Sequence, residues 1–150
     1  FEIEVLDIAS CDRETAQAKI FQSKILYISG GNTFYLLQEL KKKQLLSLIK
    51  EQIRDGLIYV GESAGAIITA KDVDYNKLMD DKTVAKELSD TTGLNEVEFY
   101  ILPHYGEEPF TDSSKKTFET YKNQLDLMRM NNSQAVIVND KEIKVVSEQD

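Results

Sequence analysis

Short apolar runs alternate with segments of near-helical apolar spacing through the first half of the chain, and each run predicts an element. Residues Phe1 to Ile8 set Ile3, Val5 and Leu6 against Glu2, Glu4 and Asp7, the period-two pattern of a strand with one buried face. Asp12 to Phe21 reads as a short helix. Ile25 to Ile28 is a compact apolar run ended by Gly30 and Gly31, which predicts a parallel strand buried on both faces. Asn32 or Thr33 can cap a following helix that carries Phe34, Leu36, Leu37 and Leu40 on one face and closes at Lys41 to Lys43. Leu45, Leu48, Ile49 and Ile53 form the stripe of another helix, with Gly56 placed as its stop. LIYVGE, 57–62, is a second short apolar strand, and SAGAIITA, 63–70, suits a helix packed tightly on a sheet.

Residues 71–96 break this rhythm with a polar excursion holding Asp72, Asp74, Asp80, Asp81 and Asp90. VEFYIL then restores a strand that ends at Pro103 and His104. Thr111 to Met130 reads as a helix, and AVIVND with KEIKVVSE reads as a closing hairpin at the sheet edge, joined through Asn139 to Lys141. The alternation of strand and helix predicts a doubly wound, mostly parallel α/β sheet with helices on both faces, in one domain spanning 1–150. Crossovers in such a sheet are right-handed, and ligands gather at the carboxyl ends of the strands.

Composition narrows the function. The 150 residues are 41% hydrophobic and 29% charged, the balance of a folded domain, and the net charge of −8 argues against nucleic acid or anionic lipid as a partner. No apolar run reaches membrane-spanning length, and the opening residues lack the features of a signal peptide. A lone cysteine, Cys11, forms neither an internal disulfide nor a cysteine-based metal site, so the expectation is a cytoplasmic protein that uses no metal or cofactor. The chain opens at Phe1 without a methionine, as a fragment or a processed chain would.

The chemistry concentrates at GESAG, 61–65. A strand, a Gly-x-Ser-x-Gly turn and a helix of small residues make the setting of a nucleophile elbow, in which flanking glycines let strand and helix approach while the serine is held in a strained turn. Alternatively Ser63 only caps the helix. A serine needs a base to become a nucleophile. The sole histidine, His104, follows a predicted strand and so lies on the same sheet edge as Ser63. A carboxylate should orient that imidazole, and Asp80 or Asp81 in the polar excursion can fill the role. Ala64, after the serine, and Gly31, at the neighbouring strand end, supply candidate oxyanion-hole amides.

GGNTF, then GESAGA after an apolar strand, then a strand running into LPHY, together resemble the S51 serine peptidases, over nearly the whole chain. The resemblance implies a flavodoxin-like scaffold akin to the class I glutamine amidotransferases and a Ser, Asp, His order of catalytic residues. It maps the nucleophile to Ser63, the base to His104, the oxyanion donors to Gly31 and Ala64, and the acid to Asp80, with Asp81 beside it. It also implies hydrolysis of short peptides without metal.

Two departures stand out. Relatives of this kind begin with a further strand and helix that this sequence lacks. Members that prefer aspartyl substrates place an arginine after the histidine, where this chain has Lys115 and Lys116. Lysine holds carboxylate as a point charge without the bidentate fork, which weighs against strict aspartyl specificity. Asn32, Glu62, Lys115 and Lys116 are the expected substrate contacts, and a homodimer is compatible with this reading. The competing readings are a non-catalytic binding module on the same scaffold and an esterase using the same site.

Overall fold

The computed structural model describes residues 2–148 and is an α/β fold of parallel strand pairs flanked by helices. Helix α1 (Arg13–Gln22) begins at Asp12, whose carboxylate accepts from the Thr15 amide. Strand β1 (Ile25–Ile28) leads through Gly30 and Gly31 into α2 (Thr33–Lys42), capped by the Asn32 side chain on the Tyr35 amide. Helix α3 (Leu45–Arg54) follows, and Gly56, with φ +102, turns the chain into β2 (Ile58–Gly61). These elements match the sequence expectation closely.

β1 and β2 pair in parallel, Ile25 opposite Ile58 through Ile28 opposite Gly61. One face of this pair is covered: Leu26, Ile28 and Tyr59, each half-buried, pack on a core of Phe34, Leu37, Leu40, Leu45, Ile49, Ile67 and Ile68. The other face carries Ile25, Tyr27, Ile58 and Val60, all more than two-fifths exposed. The expectation of burial on both faces is thus met on one only, because a continuous apolar run looks the same whichever of its faces is covered.

The helix α4 (Ala64–Ile67) is a single turn, shorter than the 63–70 expected. The polar excursion contains 3₁₀ turns at Asp74–Leu78 and Lys82–Val84, and it is anchored rather than free. Val73, Tyr75, Ala85 and Leu94 are buried in the main core, and the Tyr75 hydroxyl donates to the Ile101 carbonyl. Strand β3 (Tyr100–Leu102) follows, then α5 (Thr111–Tyr121) and β4 (Leu127–Arg129), which pairs in parallel with β3.

Three further expectations are corrected. The predicted helix Thr111 to Met130 is α5 followed by a strand, because the chain leaves the helix after Tyr121 and the Leu127–Arg129 backbone bonds to β3 instead. The strand expected from Phe1 begins outside the described residues, and 2–7 form no strand. Ile3 and Val5 there are 82% and 92% exposed, so alternation without a neighbouring ladder did not suffice. The closing hairpin is present as β5 (Gln134–Asn139) and β6 (Glu142–Ser147), turned at Asp140 with φ +52, but it forms a two-stranded sheet of its own rather than the edge of a larger one. Among the described residues no helix is long and apolar enough to cross a membrane.

Asp74 ties the excursion together by accepting from Lys77 at 2.6 Å and Lys82 at 2.7 Å, and these bonds hold its carboxyl below the usual range. A depressed carboxyl contributes stability above its unfolded value near 3.8 that is lost as pH falls through the folded value. Asp74→Asn is therefore expected to flatten the acid limb of a pH–stability curve below about pH 4, read by urea denaturation at several pH values; an unchanged limb refutes the assignment.

Candidate active site

The elbow is built from the absence of side chains. A Cβ on Gly61 would lie 2.5 Å from the Gly65 carbonyl oxygen, and one on Gly65 would overlap the carbonyl oxygen of Ile28. Gly30 faces the serine less tightly, its notional Cβ 3.3 Å from the Ser63 Cβ. Helix α4 can therefore lie against the β1–β2 ends only with glycine at 61 and 65. Tyr59, half-buried on β2, adds a hydroxyl that donates to the Gly65 carbonyl at 2.6 Å, and desolvation of that hydroxyl pushes the phenol's pKa up. Ser63 is held at φ +50, ψ −111, a conformation costing a non-glycine residue about 1–3 kcal/mol.

His104 stands two residues beyond β3, also at positive φ (+55). Its turn is fixed on both sides: the Met130 amide donates to the Leu102 carbonyl, and the Tyr105 amide donates to the Met130 carbonyl at 2.9 Å. The Phe110 ring stacks on the imidazole with centroids 5.1 Å apart and planes at 21°. Here the two groups expected to meet do meet, with His104 Nε2 3.0 Å from Ser63 Oγ.

The other ring nitrogen faces a residue the sequence did not single out. His104 Nδ1 lies 2.7 Å from the Asn132 Oδ1, just past β4. With Nδ1 protonated, it donates to that oxygen and leaves the Nε2 lone pair for the serine proton. The expected acid, Asp80, is turned elsewhere. Its Oδ2 accepts from the Thr33 amide at 2.8 Å and from the Asn76 Nδ2 at 2.9 Å, and it has no bond to His104. Asp81 accepts from the Thr83 amide and hydroxyl, which lower its pKa. Neither aspartate orients the imidazole in this structure.

Gly31, φ +124, has open space where a Cβ would be, and Ala64 is the first residue of α4. Among the described residues neither amide donates to a protein acceptor. The expected substrate contacts divide. Asn32 spends its side chain on the Tyr35 amide and the Asp81 carbonyl. Glu62, next to the nucleophile, accepts from the Tyr27 hydroxyl. Lys115 and Lys116 lie on the exposed side of α5, with no bond to Ser63 or His104. No group of three or more metal-ligating side chains occurs among the described residues.

Asn132 is not among the expected site residues, because β4 lies within the helix that the sequence predicts over Thr111 to Met130. The signal was present in the Asn-Gln before Leu125 and the LMRM run after it, a strand tip that would emerge beside His104.

Comparison with known proteins sets this geometry in context. The sequence profile of peptidase family S51 matches residues 1–146. An uncharacterized peptidase of Pasteurella multocida is 42% identical over 144 residues, covering 96% of this chain and 69% of that protein. Peptidase E of a Shewanella strain is 39% identical over 80 residues, 53% of this chain and 32% of the relative. A crystal structure from Listeria monocytogenes, provisionally named a peptidase E, superposes with a TM-score of 0.89 at 36% identity, over 96% of this chain and 69% of that one. A peptidase from an acI-B1 actinobacterium shares the fold at a TM-score of 0.68 and 22% identity, over 96% and 58% of the two chains.

Gly65→Ala is expected to destabilise the protein by about 1–3 kcal/mol, since the new methyl meets backbone rather than a movable side chain. Thermal denaturation checks it. A variant as stable as the parent would mean that the elbow is looser than described.

Proposed function

Because this chain belongs to peptidase family S51, we propose that it is a serine-type peptidase that hydrolyses short peptides in a dipeptidase-like manner, with Ser63 as nucleophile and His104 as base. The observation that carries this reading is the 3.0 Å approach of His104 Nε2 to Ser63 Oγ, between two residues that both adopt positive φ. A cytoplasmic setting accords with its free thiol, Cys11.

In the proposed reaction the Ser63 hydroxyl donates its proton to Nε2 as Oγ attacks the substrate carbonyl. The Gly31 and Ala64 amides bind the oxygen that becomes negative. Imidazolium Nδ1–H remains bonded to the Asn132 oxygen, which keeps the ring aligned. Nε2–H then protonates the departing amine, and the C–N bond breaks to leave an acyl-serine. A water molecule gives a proton to Nε2 as its oxygen attacks the acyl carbon; the C–Oγ bond then breaks, Nε2–H returns the proton to Ser63 Oγ, and the acid product leaves.

Asn132 takes the place first expected of Asp80. A neutral acceptor fixes the tautomer but adds no negative charge to favour the imidazolium.

Ser63→Ala should lower kcat/KM on a dipeptide panel by roughly 10⁴-fold or more and abolish labelling by a fluorophosphonate probe. A folded parent protein that takes up no label favours a non-catalytic module, and turnover of esters without amides favours an esterase. Asn132→Asp places a carboxylate on Nδ1, which raises the imidazole pKa. The acid limb of the kcat/KM profile should move up by about one pH unit. An unmoved limb would remove Asn132 from the site.

A further inference from the structure

We infer that Asp80 is a positioning residue for the oxyanion loop, acting on Gly31 and not on His104. The inference rests on the peptidase reading of the same site and concerns how its oxyanion donor is held. Residues 30–33 join β1 to α2, and the Gly31 amide can serve an oxyanion only if that turn keeps one conformation. Gly31 cannot hold itself there. It has no side chain, lies exposed at φ +124, and has nothing within 4 Å of its Cβ direction.

The next two residues are tethered to the excursion instead. Thr33, fully buried, donates its amide to Asp80 Oδ2 at 2.8 Å. Asn76, 1% exposed, donates its Nδ2 both to the same carboxylate oxygen at 2.9 Å and to the Thr33 hydroxyl at 3.1 Å. Asn32 donates its side-chain amide to the Asp81 carbonyl at 2.9 Å. Four bonds thus run between two adjacent residues of the oxyanion loop and the 76–81 segment or within their shared junction, and Asp80 accepts two of them. The carboxylate also sits at the amino end of α2, where negative charge is favourable.

The segment is itself well anchored. Tyr75, 3% exposed, is held by its hydroxyl on the Ile101 carbonyl of β3, the strand that delivers His104. Asp80 therefore references the oxyanion loop to the same strand that carries the base, so donor and base keep a fixed relation.

The experiment compares Asp80→Ala and Asp80→Asn with the parent in steady-state kinetics, pH profile and amide hydrogen exchange. Asp80→Ala should lower kcat by about 10- to 100-fold with KM within about threefold, because an oxyanion donor acts on the transition state. Its pH midpoint should stay that of the parent, and exchange across 30–36 should speed up. Asp80→Asn retains an acceptor for the Thr33 amide and should recover most of kcat; it also serves if the alanine variant does not fold. A shifted pH midpoint would overturn the inference by placing Asp80 on the imidazole, and so would unaltered kcat. Should the parent itself neither hydrolyse peptides nor take up a fluorophosphonate, the peptidase reading fails, and unchanged exchange at 30–36 in Asp80→Ala would then overturn the clamp separately.

Discussion

The close approach of α4 to the ends of β1 and β2 governs the rest of this site. A single methyl on Gly65 would run into the Ile28 carbonyl, and one on Gly61 would meet the Gly65 carbonyl at 2.5 Å. Because the backbones touch there, the residue between them cannot relax, and Ser63 is left at φ +50 with its Oγ directed across the gap toward the β3 tip. Tyr59 reinforces the same junction from beneath by bonding the Gly65 carbonyl. The strain of a positive-φ serine, about 1–3 kcal/mol, is offset by the core packing of Ala64 and Ile67, which are 1% and 2% exposed.

A second strained residue makes the arrangement a pair. His104 also has positive φ, and it is held through the β3–β4 ladder and its continuation at Met130. Ser63 and His104 come from strand pairs that form separate ladders among the described residues, so backbone pairing does not set their separation. Packing does: Tyr75 and Tyr100 meet edge to face at 5.4 Å, and the Tyr75 hydroxyl reaches the β3 backbone. The polar excursion is thus the structural bridge between the halves of the site, which its composition alone would not suggest.

That bridge also explains what the sequence could and could not convey. The strands at 25–28 and 58–61 and the helices between them were legible because local period and glycine punctuation decide them. Ser63 and His104 were legible because each follows a strand on the edge where parallel sheets gather their chemistry. The partner of Nδ1 was not, since it depends on β4, a three-residue strand whose identity is settled only by its bonds to β3. Of the five aspartates in the excursion Asp80 and Asp81 are the expected acids, and sequence proximity does not reveal that Asp80 is spent on Thr33 and Asn76. Exposure of Ile25, Tyr27, Ile58 and Val60 was equally invisible, because an apolar residue reads alike on a covered and an uncovered face.

An asparagine beside the imidazole asks how much a carboxylate would add there. Two unit charges 4 Å apart attract by about 1 kcal/mol in water and by about 4 kcal/mol at the effective dielectric of a protein surface region. Asn132 is exposed and His104 only half-buried, so the aqueous end of that range governs this pair. Losing the charge then costs little, whereas losing the acceptor would free the ring to rotate and to present the wrong nitrogen to Ser63. A buried triad needs the anion because no water screens the imidazolium it must stabilise. At this rim water can share that task, and what the Asn132 oxygen at 2.7 Å offers the ring is orientation without the anion's charge.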